Sequence, residues 1–174
     1  MRAEVGRTGA GRRDPAAAAD GTLPLLASSP CNGTVLRKAT RRVSQLYDAV
    51  LAPCGLRSTQ RSILAQIARA GTPTIGDLAA ALVLDRSALG HNLKPLERDG
   101  YVTASVDPND RRSRRVSLTK RGTAKLEESA RLWRDAQARF EAVFGTENAA
   151  ALRRSLALIA ADEFARAFEE AAGS

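Results

Sequence analysis

The chain has 174 residues, 44% of them hydrophobic, so it is long enough to bury a core and is predicted to form one domain. Aromatic residues make up only 4%, which predicts a core of Leu, Ala and Val. The formal net charge of +8 favours a polyanionic partner, but no apolar run approaches the ~20 residues of a membrane span, so no membrane partner is expected. Two cysteines do not make a disulfide framework, and without a signal peptide we expect a cytoplasmic protein.

The N-terminal residues, 1–29, are rich in Ala, Gly and Arg and show no sustained apolar period. They cannot bury enough surface to offset the entropy of ordering, so we predict a disordered N-terminal arm. Residues 30–172 are predicted to form the domain. Its first two helices are expected at about 34–52 and at 58–70, because apolar residues recur along one stripe of each.

Two short helices joined by a tight turn are predicted next. Thr74 and Asp77 have the spacing of a capping box at the start of the first helix, and Asp85 can cap the second. Leucines at helical spacing give the second helix a buried face, and Gly100 ends it. A helix-turn-helix normally places its second helix in the major groove of DNA. The outward residues of that helix can hydrogen-bond to bases or phosphates, and they are Arg86, Ser87, His91, Asn92 and Lys94.

A β-hairpin rich in arginine is predicted directly after these helices. Residues 101–106 and 114–119 alternate apolar and polar side chains, with Val106 among those expected to face the core. Residues 86–121 contain nine Lys or Arg and four acidic residues, an excess of five positive charges. A basic hairpin tip can reach phosphates or a narrow minor groove, so the helices and the hairpin together predict a winged helix-turn-helix. The arginines of the tip are Arg111, Arg112, Arg114 and Arg115.

Two more helices with apolar stripes are predicted after the hairpin, at about 120–144 and 147–168, with a break at Gly145. The helix-turn-helix and hairpin can cover only part of the apolar surface on these helices and on the first one. Surplus apolar faces at both ends of the chain predict a homodimer, and the alternative is that these helices pack back on their own domain. The expected fold class is mainly α, a winged helix-turn-helix with a small β-hairpin wing and flanking dimerisation helices.

The hairpin and its flanks resemble the MarR family of bacterial transcription regulators. That family has an Asp-x-Arg pattern in the wing, here Asp110-Arg111-Arg112, and then a strand ending Leu-Thr-x-x-Gly, here Leu118-Thr119-Lys120-Arg121-Gly122. The resemblance implies a DNA-reading module at about 58–119 and dimerisation helices at about 34–52 and 120–170. It also implies a dimeric repressor on a palindromic operator in double-stranded DNA, with Arg112 in the minor groove and oriented by Asp110. Arg111 and Arg114 complete the candidate DNA-binding residues.

Two other classes of function remain as alternatives. Winged helices also occur in alkyl-transfer DNA repair enzymes with a Pro-Cys-His nucleophile motif, but here Gly55 follows Pro53-Cys54, so the activating histidine is missing. No cluster of His, Cys and carboxylates has zinc spacing, and no phosphate-binding glycine loop is present, so neither catalysis nor a cofactor is expected. The second alternative is a sequence-independent architectural DNA-binding protein, for which the positive charge alone suffices.

A regulator needs a signal, and the sequence offers two hypotheses. Cys31 precedes the first predicted helix, where unpaired N–H groups lower a thiol pKa, and peroxide-sensing members of the resembled family oxidise a cysteine near this point. Those sensors pair the cysteine with two tyrosines; Tyr47 matches one, and Ser58 stands at the other position. Cys31 is thus either a redox sensor or an inert small residue. The other hypothesis is a small aromatic or phenolic ligand near Tyr47 and Trp133.

Overall fold

A computed structural model of the protein describes residues 30–172, which belong to two units divided after Lys38. The predicted N-terminal arm, 1–29, lies outside the described residues and stays a prediction. In the first unit the described residues form the start of a helix. The Cys31 carbonyl accepts hydrogen bonds there from the N–H groups of Thr34 and Val35, both at 3.1 Å.

The described chain is mainly helical, with one β-hairpin near its middle. The helices are α1 (Asn32–Leu51), α2 (Ser58–Ala70), α3 (Ile75–Ala81), α4 (Arg86–Arg98), α5 (Lys120–Phe144), α6 (Thr146–Ile159) and α7 (Asp162–Ala172). A short 3-10 helix, Ala52–Cys54, follows α1. Strands β1 (Val102–Val106) and β2 (Arg114–Leu118) pair antiparallel, with Val102 opposite Leu118. The predicted fold class is confirmed, as are the bounds of α2 and α5.

The helix-turn-helix, formed by α3 and α4, begins at the predicted side-chain caps. The Thr74 hydroxyl accepts from the N–H of Asp77 at 3.0 Å, and the Asp77 carboxylate accepts from the N–H of Thr74 at 3.3 Å. The Asp85 carboxylate accepts from the N–H of Ala88 at 2.7 Å, in the first turn of α4. Each cap pairs a donor that a helix N-terminus otherwise leaves unsatisfied, which stabilises the helix by about 1 kcal/mol.

The core lies in the middle of the chain and is built from aliphatic side chains. Helix α4 buries Leu89, Leu93 and Leu96, as predicted, against α2, α3 and β1. No aromatic side chain is among the buried members of this core, in accord with the composition. The other members are Leu51, Cys54, Leu56, Ile63, Leu64, Ile67, Leu78, Ala79, Val102 and Val116.

Two predictions about the hairpin and the last helix are wrong. Val106 is 58% exposed, because β1 continues past the edge of the core before the chain turns. The helix predicted at 147–168 is interrupted at Ala160 and Ala161, where the Ala161 carbonyl accepts from the N–H of Phe164 at 3.1 Å and α7 begins. Alanine has the highest helix propensity, so the composition does not mark this break.

Large apolar side chains remain exposed on the helices that follow the hairpin. The residues that α5 buries are all small: Gly122, Ser129 and Ala136. Leu126 and Leu132 of α5 pack half-buried against the core, so the core covers only part of the apolar surface of these helices. None of the described helices is both long and apolar enough to cross a membrane. The exposed side chains are Trp133, Val143, Phe144, Leu156, Leu158, Ile159, Phe164 and Phe168.

Gly122, in the first turn of α5, packs directly on the backbone of Tyr101, and a Cβ at this position would collide with the Tyr101 carbonyl oxygen. We predict that Gly122→Ala lowers the free energy of unfolding by about 2 kcal/mol or more, because two backbone segments must separate. The matched control is Gly90→Ala in α4, where an added Cβ meets no atom within 4 Å. That variant should gain about 0.5–1 kcal/mol from helix propensity. Denaturant unfolding measures both, and equal effects would contradict the close contact.

Candidate nucleic-acid interface

Helix α4 presents polar side chains on the face opposite its buried leucines. Arg86, Ser87, His91 and Lys94 are exposed, as the helical period predicts. Arg86 is the first residue of α4 and lies beside α3, since its Nη2 atom would be 3.4 Å from a Cβ at Gly76. The Arg86 guanidinium thus lies close to Gly76, in the first turn of α3.

Asn92 takes a different place from the other polar residues of α4. It is half-buried, and its side-chain amide donates to the Ala88 carbonyl at 2.8 Å. One residue corresponds to about 100° of rotation around a helix, so Asn92 stands at the edge of the leucine face, whereas His91 stands opposite that face. The sequence predicted that Asn92 faces outward. Because its side chain is half-buried and its amide already donates a hydrogen bond, Asn92 is less available to a nucleic acid than that prediction implied.

The turn at the tip of the hairpin is closed by Asp110. Its carboxylate accepts from the backbone N–H of Arg112 at 2.9 Å, and its carbonyl accepts from the N–H of Ser113 at 2.8 Å. No ion pair joins Asp110 to the Arg112 guanidinium in the described chain. Asp110 therefore shapes the main chain that presents Arg112 and does not hold the side chain itself.

Asp107 is the buried carboxylate of the hairpin, and it is absent from the residues proposed from the sequence. It accepts from the N–H of Asn109 at 2.9 Å and from Nε of Arg115 at 2.8 Å. The bond from Asn109 and the ion pair with Arg115 hold the pKa of Asp107 below its usual range, although burial acts in the opposite direction. The sequence does contain a signal for this ion pair, because an acidic and a basic residue stand at the two ends of one turn. The alternation of apolar and polar residues along the strands does not detect it.

Arg115 also ties the hairpin to the segment before α3. Its Nη1 atom donates to the Thr72 carbonyl at 3.3 Å. The N–H of Val116 donates to the Pro73 carbonyl at 2.9 Å, and Thr74 forms an isolated antiparallel bridge with Arg115. Strand β2 is thus bonded on both edges, to β1 and to residues 73–74, which fixes the hairpin relative to the helix-turn-helix.

The cations of α4 and of the hairpin tip are not neutralised by acids within residues 30–172. Arg86, Lys94, Arg111 and Arg112 are exposed, and none of them forms an ion pair with a described carboxylate. Arg114 is also exposed, and its Nη2 atom contacts the Ala104 carbonyl only at 3.5 Å. These side chains keep their full charge for an anionic partner.

The two cysteines lie in different environments. Cys31 is exposed just before α1, and hydrogen bonds from the Thr34 hydroxyl and then from the backbone N–H groups of Thr34 and Gly33 lower the pKa of its thiol. Cys54 is buried, and its Sγ donates to the Leu51 carbonyl at 3.0 Å. Cys31 thus combines exposure with a lowered thiol pKa, whereas the Cys54 thiol is buried.

Tyr47 and Trp133 each have a defined neighbour. The Tyr47 ring packs edge-on against Phe140 at a centroid separation of 6.5 Å, and burial raises the pKa of the Tyr47 hydroxyl. The Arg61 guanidinium lies 4.6 Å from the centroid of the Trp133 ring, and its buried Nε has no hydrogen-bond partner in the described chain.

No group of His, Cys, Asp or Glu in residues 30–172 could hold a metal ion. A cavity of about 360 Å³ is lined by Arg131, Leu132 and Asp135.

Comparison with known proteins places these features in a family. The sequence profile of the MarR family matches residues 56–113, from the residues before α2 to the hairpin tip. The transcriptional activatory protein BadR of Rhodopseudomonas palustris is 39% identical over 71 residues, which cover 39% of this chain and 41% of BadR. The multiple antibiotic resistance protein MarR of Salmonella typhimurium is 30% identical over 96 residues, which cover 55% of this chain and 67% of that protein. The match thus spans less than half of BadR but two thirds of MarR.

One solved structure extends the similarity beyond the DNA-reading module. The Mycobacterium tuberculosis transcriptional regulator MosR, in complex with DNA, superimposes with a TM-score of 0.70 at 35% sequence identity. The comparison covers 79% of this chain and 97% of that chain. The similarity therefore includes helices that flank the helix-turn-helix and the hairpin.

The lowered pKa of Asp107 predicts a loss of stability in acid. A carboxylate whose pKa is lower in the folded than in the unfolded chain adds stability above the unfolded value of about 4, and that stability disappears as the pH falls through the folded pKa. We expect Asp107→Asn to melt at a lower temperature than the parent at pH 7, with the difference shrinking below about pH 4. The control is Asp110→Asn, at an exposed position of the same turn. A difference that stays constant from pH 7 to pH 3 would contradict this role.

Proposed function

The chain belongs to the MarR family of transcriptional regulators, and from that premise we propose that it is a sequence-specific repressor that binds a palindromic operator as a homodimer. The observation that carries the proposal is the set of exposed, unneutralised cations on α4 and at the hairpin tip. Arg86, Ser87 and His91 would meet base edges in the major groove. Arg112 would enter the adjacent minor groove. Lys94, Arg111 and Arg114 would contact phosphates, which position the protein without reading sequence, and Asp110 shapes the tip.

A homodimer is supported by the apolar surface of the last two helices. Leu158 is 64% exposed in α6, and the rings of Phe164 and Phe168 stack on α7 at a centroid separation of 6.5 Å while both remain exposed. Apolar groups clustered in this way favour burial against another protein surface. A partner related by a twofold axis would bring two α4 helices to half-sites about 10 bp apart, which is the arrangement that a palindrome requires.

Repression is proposed for the direction of regulation, because a bound dimer blocks access to the DNA without any further contact. Activation, the role named for BadR, requires a second surface that recruits the transcription machinery. A reporter gene placed behind the operator distinguishes the two directions. Repression predicts higher expression when the regulator is removed.

We predict that DNA selected from a random pool contains a palindrome and that Arg112→Ala weakens its binding by about 1–3 kcal/mol. Three or four phosphate contacts in each subunit give a slope of log K against log salt of about −5 to −7. The control variant is Arg139→Ala, which removes the same charge from α5, outside the predicted DNA-reading residues. Light scattering at the binding concentrations gives the number of subunits.

Three results would contradict this proposal. Uniform coating of DNA without an enriched sequence would identify an architectural protein, for which charge alone determines binding. A monomer on the selected DNA would contradict the dimer. Equal losses for Arg112→Ala and Arg139→Ala would show that the hairpin tip contributes only general positive charge.

We also propose that oxidation of Cys31 releases the protein from its operator. The exposure of the thiol and its lowered pKa support this proposal, because a lower pKa increases the fraction of the reactive thiolate. The thiolate sulfur attacks a hydroperoxide, the O–O bond breaks, and a sulfenic acid forms while the peroxide is reduced to an alcohol. The sulfenic acid then condenses with a low-molecular-weight thiol, which forms an S–S bond and releases water.

Hydroperoxide is therefore expected to abolish operator binding by the wild type and by Cys54→Ser but not by Cys31→Ser. Cys54 is not expected to react, because its thiol is buried and donates a hydrogen bond to a backbone carbonyl. Binding measured by fluorescence anisotropy, before and after oxidant, tests the three proteins side by side. Release of oxidised Cys31→Ser would exclude Cys31 as the sensor.

A small aromatic ligand is the second candidate signal. It is favoured by Arg61, whose guanidinium covers Trp133 while its buried Nε has no partner in the described chain. An acceptor group on a ligand could satisfy that donor. If the wild type keeps full operator binding after oxidation, the ligand hypothesis replaces the redox hypothesis. Its test is whether aromatic carboxylates or phenols release the protein from the operator without an oxidant.

A further inference from the structure

The turn between α3 and α4 contains a valine in a conformation that suits glycine. Val83 has φ = +51°, and it is the only non-glycine residue in the described chain with a positive φ. The N–H of Val83 donates to the Ala80 carbonyl at 3.0 Å, and the N–H of Leu84 donates to the Ala79 carbonyl at 2.9 Å. These two bonds close the end of α3 as a Schellman motif, whose left-handed position is usually occupied by glycine and sometimes by asparagine. A β-branched residue there is strained.

The side chain of Val83 contributes little to the packing of the fold. It is 68% exposed, whereas its neighbours Leu82 and Leu84 pack against the core. The turn is closed by backbone hydrogen bonds that any residue except proline could make. Neither the core nor the turn therefore explains an isopropyl group at this position.

Val83 does lie where a DNA contact is expected. It precedes the N-cap Asp85 by two residues and Arg86, the first residue of α4, by three. The N-terminal residues of a recognition helix are those that contact base edges in the major groove. The exposed isopropyl group thus lies within three residues of the start of α4, and it offers apolar carbon and no hydrogen-bonding group.

We propose that Val83 is a specificity-determining residue that contacts the C5-methyl group of a thymine in each operator half-site. Thymine is the only base that presents a methyl group in the major groove, and apolar side chains are the groups that recognise it. The inference rests on the proposed operator binding and names one base that the operator contains. It also explains the strain, because a residue selected for a contact outside the molecule need not suit its own backbone.

The test combines stability and affinity in one set of variants, Val83→Gly, Val83→Asn and Val83→Ala. Gly and Asn tolerate a positive φ, so these two variants are expected to raise the melting temperature by about 2–4 °C. The same two variants are expected to bind the selected operator about three- to tenfold more weakly, since they lose the apolar contact. Opposite signs for stability and affinity are the expected result, and no loss of folding can produce them.

The operator supplies the second arm of the experiment. Replacing each thymine in turn by uracil removes only the methyl group. For one thymine in each half-site, wild type should lose the same three- to tenfold in affinity, and Val83→Gly should lose nothing further, as expected when both changes remove one contact. Val83→Ala keeps the Cβ atom, so its operator affinity should lie between those of the wild type and Val83→Gly.

Val83→Gly with unchanged affinity would overturn the proposal, and so would a loss that is independent of every thymine, which would indicate contact with the sugar-phosphate backbone. Failure of the proposed function is distinguishable from both results. In that case wild type would enrich no sequence from the random pool, and no operator would exist for the comparison.

Discussion

The placement of the hairpin relative to α4 depends on strand β2, which is hydrogen-bonded along both of its edges. One edge pairs with β1, and the other receives Pro73 and Thr74, the two residues that precede α3. A two-stranded hairpin alone is marginally stable in water. Bonding to the segment before α3 ties the hairpin to the helix-turn-helix, so α4 and the arginine-rich tip hold a defined separation.

Four acidic residues of this region serve its local structure. Asp77 and Asp85 cap helices, Asp107 is buried against Arg115, and Asp110 closes the tip. These carboxylates are bound to backbone N–H groups or to an arginine that also serves the fold. The exposed cations Arg86, Lys94, Arg111 and Arg112 form no ion pair with a described carboxylate, so the local excess of positive charge is left open to an anionic partner.

Short-range signals made most of the fold predictable. Thr74, Asp85 and Gly100 act on residues within one turn of themselves, so their effects on α3 and α4 can be read from the order of residues. The bond between Asp107 and Arg115 depends on the two strands closing first, and the exposure of Val106 depends on how far the core extends beneath β1. Val83 is a third case. Its place in the turn could be expected, but its φ of +51° contradicts the preference of a β-branched residue, and only the tertiary arrangement of α3 and α4 imposes it.

The core of a single chain leaves many apolar side chains exposed on the helices after the hairpin. The buried cluster runs from Leu51 to Val116, and leucine and isoleucine side chains from α2, α3 and α4 form much of it. Helix α5 contacts this cluster with half-buried Leu126 and Leu132, and the residues that it buries fully are small. Its other large apolar residues, such as Val143, and several of those on α6 and α7, such as Leu158, remain exposed in the single chain. In the proposed homodimer this exposed surface would join two chains, and the spacing of the two α4 helices would then be set by helices outside the helix-turn-helix.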